Sequence, residues 1–337
     1  TLFEHIKFDE NYREVGFEKR LLALIDRFKP EVIAISGYNV QVHNLKKRID
    51  EIVKNNNKMV IFESNNEAEE YEVELPVIYV PNETARLFEY SDRAEEEFSD
   101  KAVVAKFCIG VARYVQSPLL EYIALGDSVP SISIHKHQTL LPDHKLLEAI
   151  TSIFVDVSSM VGIKINDAVR SPYLALALPY ISGLGPRKAS SLIKGIEANG
   201  GFLVKRADLI HKELTSKNIF MNCAPFLEIP AGDHYDKNND LLDSTRIHPE
   251  DYDLAIKMAG DALDLEEEDR QEAENEDGGI IGKLYDEGVE KLEELAIESY
   301  AKQLEAHGHR KRSTLQMIQE ELESNYEELR KSFHLLT

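Results

Sequence analysis

The stretch 180–201, YISGLGPRKASSLIKGIEANGG, puts two glycines, a proline and two cations within the six residues 183–188. Glycines flanking one leucine permit a tight turn through positive φ. Pro186 suits the first position of a helix, where its missing N–H costs nothing. The free N–H groups at such a helix start, together with the helix dipole, form an anion site. Arg187 and Lys188 stand beside it, and Lys194 follows before Gly200-Gly201 ends the helix. The chemistry this supports is capture of a phosphate, with Gly183, Gly185, Arg187, Lys188 and Lys194 as contacts and Lys205 and Arg206 as outer charges. A grip on phosphates reads no base sequence, and its affinity falls steeply with salt. The bland alternative is a helical corner with solvated lysines.

Other reactive side chains assemble into less. His135-x-His137 alternates as metal ligands on a strand would, but no Asp, Glu or Cys at a convincing spacing completes a site, so surface histidines are expected. A metal-dependent nuclease built on a sheet needs carboxylates converging at strand ends. The apolar run 32–35 ends in Ser36-Gly37-Tyr38-Asn39, and the run 77–80 ends in Pro81-Asn82-Glu83. Only Glu83 is acidic, and one carboxylate does not hold two metals. Asn39 to His43 reads as a helix start rather than a catalytic pair. Neither a Walker A sequence nor GxSxG nor HExxH occurs. No catalytic residue, metal ligand or cofactor is expected.

The elements that position these residues fall into three regions. Residues 1–165 alternate helical spacing (17–28, 42–53) with short apolar runs (32–35, 59–62, 77–80), which predicts a parallel or mixed sheet under helices. The stretch 65–71 reads as a polar loop and 131–140 as strand-like. Two patterned helices are expected. One, over 101–115, faces inward through Val103, Val104, Phe107, Cys108, Val111 and Val115. The other, over 143–161, does so through Leu146, Leu147, Ile150, Phe154, Val157 and Val161, with Gly162 closing it. Ser171-Pro172 starts a helix into the hairpin, with Pro179 ending or kinking it. A weaker second hairpin unit follows over 207–226, and 231–240 is a polar loop. From Pro249 the pattern is helical, except for an acidic, mobile loop at 266–277. Ser313 with Gln316 fits a capping box. Leu315, Ile318, Leu322, Leu329 and Phe333 form the last helix's buried stripe.

A chain of 337 residues with 43% hydrophobic and 30% charged residues has material for two or three domains. No apolar run approaches the roughly 20 residues that span a bilayer. The opening TLFEHIKFDE is no signal peptide, and a start at Thr1 suggests a piece of something longer. Cys108 and Cys223 read as small buried hydrophobes in a reducing compartment. The net charge of −22 disfavours a whole surface that grips polyanions. The charge is uneven, with 16 acidic and 3 basic residues over 261–300 but 3 acidic and 7 basic over 180–220. The acidic run is either a solvated face or a docking surface for a basic protein.

Six blocks, VIYVPNETARLFEYSDRAEEEF, ARYVQSPLLEY, SISIHKHQTLL, YISGLGPRKA, IFMNCAPFLEI and LDSTRIHPEDY, carry a resemblance that covers nearly the whole chain. The chain resembles the eukaryotic suppressor-of-Ty transcription elongation factors, nuclear histone chaperones related to bacterial Tex. That resemblance implies an α/β plus all-α chain. An RNase H-like YqgF domain with a mixed sheet would span 1–165, tandem helix-hairpin-helix 166–230, and a death-like helical bundle 241–337. It implies histones and nucleosomes as partners, the RNA polymerase II elongation complex through the full-length protein, weak and non-specific nucleic-acid contact, no membrane, and a nuclear location. The family's acidic tail, helical core, S1 and tandem SH2 domains are not visible here, so binding of the polymerase tail is not expected of this piece. Active YqgF-type nucleases place a carboxylate on the first strand and an Asp after a later one. Asn82 stands where that Asp followed by Glu would fall, and the first strand looks missing or incomplete. A non-enzymatic scaffold is therefore expected, and a residual metal-dependent RNase H-like nuclease is the competing reading.

Overall fold

A computed structural model describes residues 12–37, 40–56, 60–64, 67–71, 75–230, 240–275, 278–306, 311–326 and 330–331. The chain divides into two compact units, Thr1–Gln138 with Arg330–Thr337, and Thr139–Leu329.

In the first unit α1 (Val15–Phe28) stops where Lys29 turns left-handed ahead of Pro30. There follow β1 (Ile33–Ile35), α2 (Gln41–Asn55), β2 (Val60–Ser64), β3 (Glu67–Tyr71) and β4 (Val77–Tyr79). β1 and β4 pair in parallel, Ile33 opposite Val77. Their period of two sorts the core. Ile35 and Val77 pack with Phe17 of α1 and Ile49, Ile52 and Val53 of α2. Ala34 and Ile78 turn the other way, toward Ala85 of α3 (Glu83–Phe88) and Val111 of α5. The short α4 (Asp92–Glu97) precedes α5 (Val103–Gln116), and α6 (Pro118–Ala124) follows it. Among the described residues the strands form separate two-stranded pairs, parallel β1–β4 and antiparallel β2–β3, rather than one mixed sheet. Glu67–Tyr71, expected as loop, is strand because its backbone pairs along all of β2.

Two further expectations are corrected here. The buried face of α5 carries Ala105, Lys106, Ile109, Gly110 and Val111, while Val103, Val104 and Cys108 are exposed. Gly110 lets α5 approach α3 so closely that a Cβ would sit 3.0 Å from the Ala85 Cα. Lys106 is buried because its ammonium donates to Glu95. The region 131–140 is not a strand. Gln138 takes the backbone partners a ladder would need, donating to the carbonyls of Pro130 (2.7 Å) and Ile132 (2.9 Å) and accepting from the Ile134 N–H. His135 and His137 lie exposed on that loop, the first accepting the second's backbone N–H at 3.1 Å.

The second unit opens with α7 (Asp143–Val161), whose Ile150 and Phe154 are buried while Val161 is half-exposed. It continues through β5 (Ile163–Lys164) and α8 (Ile165–Arg170) to a 3-10 run, Leu174–Tyr180, that holds Pro179 where an α-helix was expected. α9 (Pro186–Ala198), α10 (Asp208–His211) and α11 (Lys217–Cys223) follow, then β6 (Leu227–Glu228), which pairs in parallel with β5. From Tyr252 the described elements are helices: α12 (Tyr252–Ala262), α13 (Glu267–Asn275), α14 (Gly279–Glu287), α15 (Ile297–Ala306) and α16 (Arg312–Glu323). Leu315, Ile318 and Leu322 fill its core as expected, whereas Leu329 and Phe333 lie outside the described residues. α16 begins at Arg312 with no side-chain cap, so Ser313 is inside the helix and makes no capping box. The acidic stretch expected as loop is helical in α13. Arg270 neutralises Asp261 and donates to the Leu265 carbonyl at 3.0 Å, and Ala273 is buried. Among the described residues no helix is long and apolar enough to cross a membrane.

Cys223, at the end of α11, is fully buried, and desolvation pushes its thiol from 9.0 up to about 12. The thiolate is thus disfavoured in the fold, so stability is expected to fall between pH 9 and about 12, as the unfolded thiol ionises first. At pH 8 a maleimide should label Cys108 and leave Cys223 untouched. Desolvation raises the Cys108 thiol too, but that residue is exposed, whereas Cys223 is enclosed and its three pKa units cost roughly a thousandfold in thiolate relative to an ordinary thiol. Two labels at equal rates, read by intact mass, would show that Cys223 is not enclosed.

Candidate nucleic-acid interface

The hairpin forms as its residue types dictate. Ile181 accepts the Leu184 N–H at 3.0 Å, closing the turn. Gly183 has φ 82° and Gly185 φ 148°, values that favour glycine. Gly185 caps α9 through its carbonyl, which accepts the Ala189 N–H at 2.9 Å, and no side chain caps the helix. Pro186 has no N–H, so the N–H groups of Arg187 and Lys188 are the free donors of the first turn. Both side chains are exposed, and the Lys188 ammonium folds back to donate to the Gly183 carbonyl at 3.0 Å. Lys194 is exposed two turns along α9. Gly183 packs against α11, where a Cβ would lie 2.6 Å from the Asn222 Cβ.

The second unit's other turn is built differently. Glu213 takes positive φ (53°), and the N–H groups of Leu214 and Thr215 both bond the Leu209 carbonyl at 3.0 Å. Lys217 begins α11 and is exposed, whereas Lys212 pairs with Asp208 at 3.1 Å. Between the two turns, Gly200 and Gly201 are left-handed at φ 104° and 80°. The side chain of Asn166 then holds both the N–H (2.8 Å) and the carbonyl (2.9 Å) of Leu203.

The expected outer charges separate. Lys205 is half-buried. Arg206 is 1% exposed and cannot touch a nucleic acid, which corrects its assignment to the interface. Its guanidinium donates to the carbonyls of Leu227 (2.9 Å), Leu242 (3.2 Å), Ile247 (3.2 Å), Pro225 (3.3 Å) and Thr245, and to the Tyr252 hydroxyl (2.8 Å). Tyr252 in turn donates its hydroxyl to Asp243 at 2.7 Å, and Asp243 also accepts the Arg206 backbone N–H at 2.7 Å. A buried cation and a buried carboxylate are thereby linked through one hydroxyl. Desolvation pushes the Asp243 carboxyl upward against these bonds and raises the Tyr252 phenol as well. No local pattern in the sequence announces this cluster, because its members lie at 206, 225–227 and 242–252.

At the ends of the parallel strands Asn82 donates its amide to the Gly37 carbonyl at 3.1 Å, and Ser36 donates to the Val80 carbonyl at 2.9 Å. Only an amide, not a carboxylate, can make the first of these bonds. Glu83 is exposed on α3, and among the described residues no three His, Cys, Asp or Glu side chains gather as a metal ion requires.

The family described as "Holliday-junction resolvase-like of SPT6" matches residues 5–126, and "Helix-hairpin-helix motif" matches 127–230. Transcription elongation factor SPT6 of Debaryomyces hansenii is 49% identical over 313 residues, 91% of this chain and 22% of the relative. Its counterpart in Schizosaccharomyces pombe is 41% identical over 326 residues (96% and 23%). The one in Neurospora crassa is 42% identical over 350 residues (100% and 25%). The chain spans about a quarter of the length of these relatives. It carries a domain of the SPT6 resolvase-like YqgF family over 5–126 and a helix-hairpin-helix domain over 127–230, and across nearly its whole length it is similar to one segment of the SPT6 transcription elongation factors.

Proposed function

We propose that this segment is a non-catalytic scaffold of a nuclear transcription elongation factor and histone chaperone, and that it contacts nucleic acid weakly and without sequence preference through the hairpin. One observation carries the reading. The start of α9 offers uncapped N–H groups beside exposed Arg187 and Lys188, inside the segment that matches the helix-hairpin-helix family. Gly183, Gly185 and Lys194 complete the grip, with Lys205 at its margin. The helices of 241–337 form a death-like interaction module for histones and nucleosomes, and their acidic face over 261–300 suits such basic partners. Engagement of the RNA polymerase II elongation complex belongs to the full-length protein. The scaffold reading is supported by Asn82, whose amide is spent on a strand-end carbonyl. The competing nuclease reading is favoured by the resolvase-like family description alone, and fold does not carry function. Cleavage of branched DNA with Mn²⁺ that Glu83→Gln abolishes would restore it.

The hairpin role is tested by nucleic-acid binding across a salt series for wild type and Arg187→Glu/Lys188→Glu. The double reversal is expected to weaken binding at least about tenfold at 50 mM salt and to flatten the slope of log K against log salt by about 1–2. Superimposable curves would remove the hairpin from the interface.

A further inference from the structure

We propose that the exposed face of α9 is a track for single-stranded nucleic acid that ends in a stacked base on Phe202, an inference that rests on the hairpin as the phosphate grip. Arg187, Ser191, Lys194 and Ala198, at i, i+4, i+7 and i+11, share one face of α9, and all four are exposed. Glu197, the only acid on the helix, lies roughly 80° round from Arg187 at 3.6 residues per turn. That face therefore runs about 16 Å from the hairpin without a negative charge, at 1.5 Å per residue.

Past its end stands Phe202, 52% exposed. The two glycines before it are uncrowded, since beyond their chain neighbours a Cβ at Gly200 or Gly201 would meet nothing within 4 Å. Its backbone is nevertheless fixed from the next residue, where Asn166 holds both polar groups of Leu203 and Leu203 itself is buried. An exposed aromatic ring four residues past a cationic helix face is an arrangement that binds unpaired bases, since every base offers a π-face and phosphates follow the cations. A base inside a duplex has no free face to offer, so the track selects single strands.

The chain contains no tryptophan, so Phe202→Trp introduces its only indole. Phe202→Ala is expected to weaken binding of a fluorescein-labelled 15-mer oligothymidylate about five- to hundredfold. A 15-base-pair duplex should lose less than twofold, with the thermal melt unchanged. The emission of the Phe202→Trp variant should be quenched at saturating oligothymidylate. Unquenched emission while anisotropy reports full binding would overturn the proposal. So would a Phe202→Ala effect below twofold on the single strand, or equal losses on single strand and duplex. The failures separate cleanly. If the Arg187→Glu/Lys188→Glu protein loses binding and Phe202→Ala does not, the stacked base is rejected and the hairpin grip stands. If the charge reversal changes nothing, the grip itself is rejected.

Discussion

Arg206→Ala is expected to cost the second unit about 3–5 kcal/mol, the range for removing one partner of a buried charge network. Six acceptors share the five N–H donors of this guanidinium, and Leu227, Leu242, Thr245 and Ile247, whose carbonyls are among them, are all essentially unexposed. Alanine would strand those carbonyls and leave Asp243 as a buried carboxylate with its countercharge gone. For a unit of this size each kcal/mol moves the melting temperature by about 2–4 °C, so a fall of roughly 6–20 °C is expected in a thermal melt of the whole chain. Arg206→Lys keeps the charge but offers three donors from one point, and it should recover less than half of the loss. Arg187→Ala, on the exposed hairpin, should stay within about 0.5 kcal/mol of wild type. If Arg206→Ala melts with the wild type, the cluster is not what joins the hairpin region to the helices after it.

The contrast between these two arginines marks how far the sequence could be read. Arg187 follows Gly-Pro at a helix start, and every local rule points it outward. Arg206 follows Lys205 in the same basic stretch, and the same rules gave it the same role. What separates them is the loop of 240–252 folding over 206, a pairing across 36–46 residues that leaves no periodicity to detect. The misreading of α5 has a similar cause. Counting hydrophobic residues favoured Val103, Val104 and Cys108, yet the helix buries Gly110 for its closeness to Ala85 and Lys106 for its tie to Glu95. Glu67–Tyr71 became strand through backbone pairing that its polar side chains do not advertise. Most features set by local spacing were legible, such as the hairpin, the stripe of Leu315, Ile318 and Leu322, and the helix over 143–161, although the capping box expected at Ser313 does not form. Those decided by a distant partner were not.

The two hairpin glycines show the same division within three residues, and Gly183→Ala carries the second large effect. Both positions have positive φ, so alanine strains the backbone at either one, at about 1–3 kcal/mol. At Gly185 that is the whole cost, because nothing lies within 4 Å of the new methyl group. At Gly183 the methyl would sit 2.6 Å from the Asn222 Cβ and 3.4 Å from the Ile219 carbonyl oxygen, both on α11. A Cβ cannot swing away as a long side chain can, so the turn must lift off α11, adding about 1–3 kcal/mol of overpacking. Gly183→Ala is therefore expected to destabilise the second unit by about 2–6 kcal/mol in denaturant unfolding, and Gly185→Ala by about 1–3. Nucleic-acid affinity should respond in the same order, because lifting the turn re-aims the free N–H groups of Arg187 and Lys188. Gly183→Ala/Asn222→Gly, which removes the Cβ that the methyl would strike, should recover the packing part and leave the φ strain. Equal losses at the two glycines would mean that α11 does not support the turn, and the grip would then depend on local backbone alone.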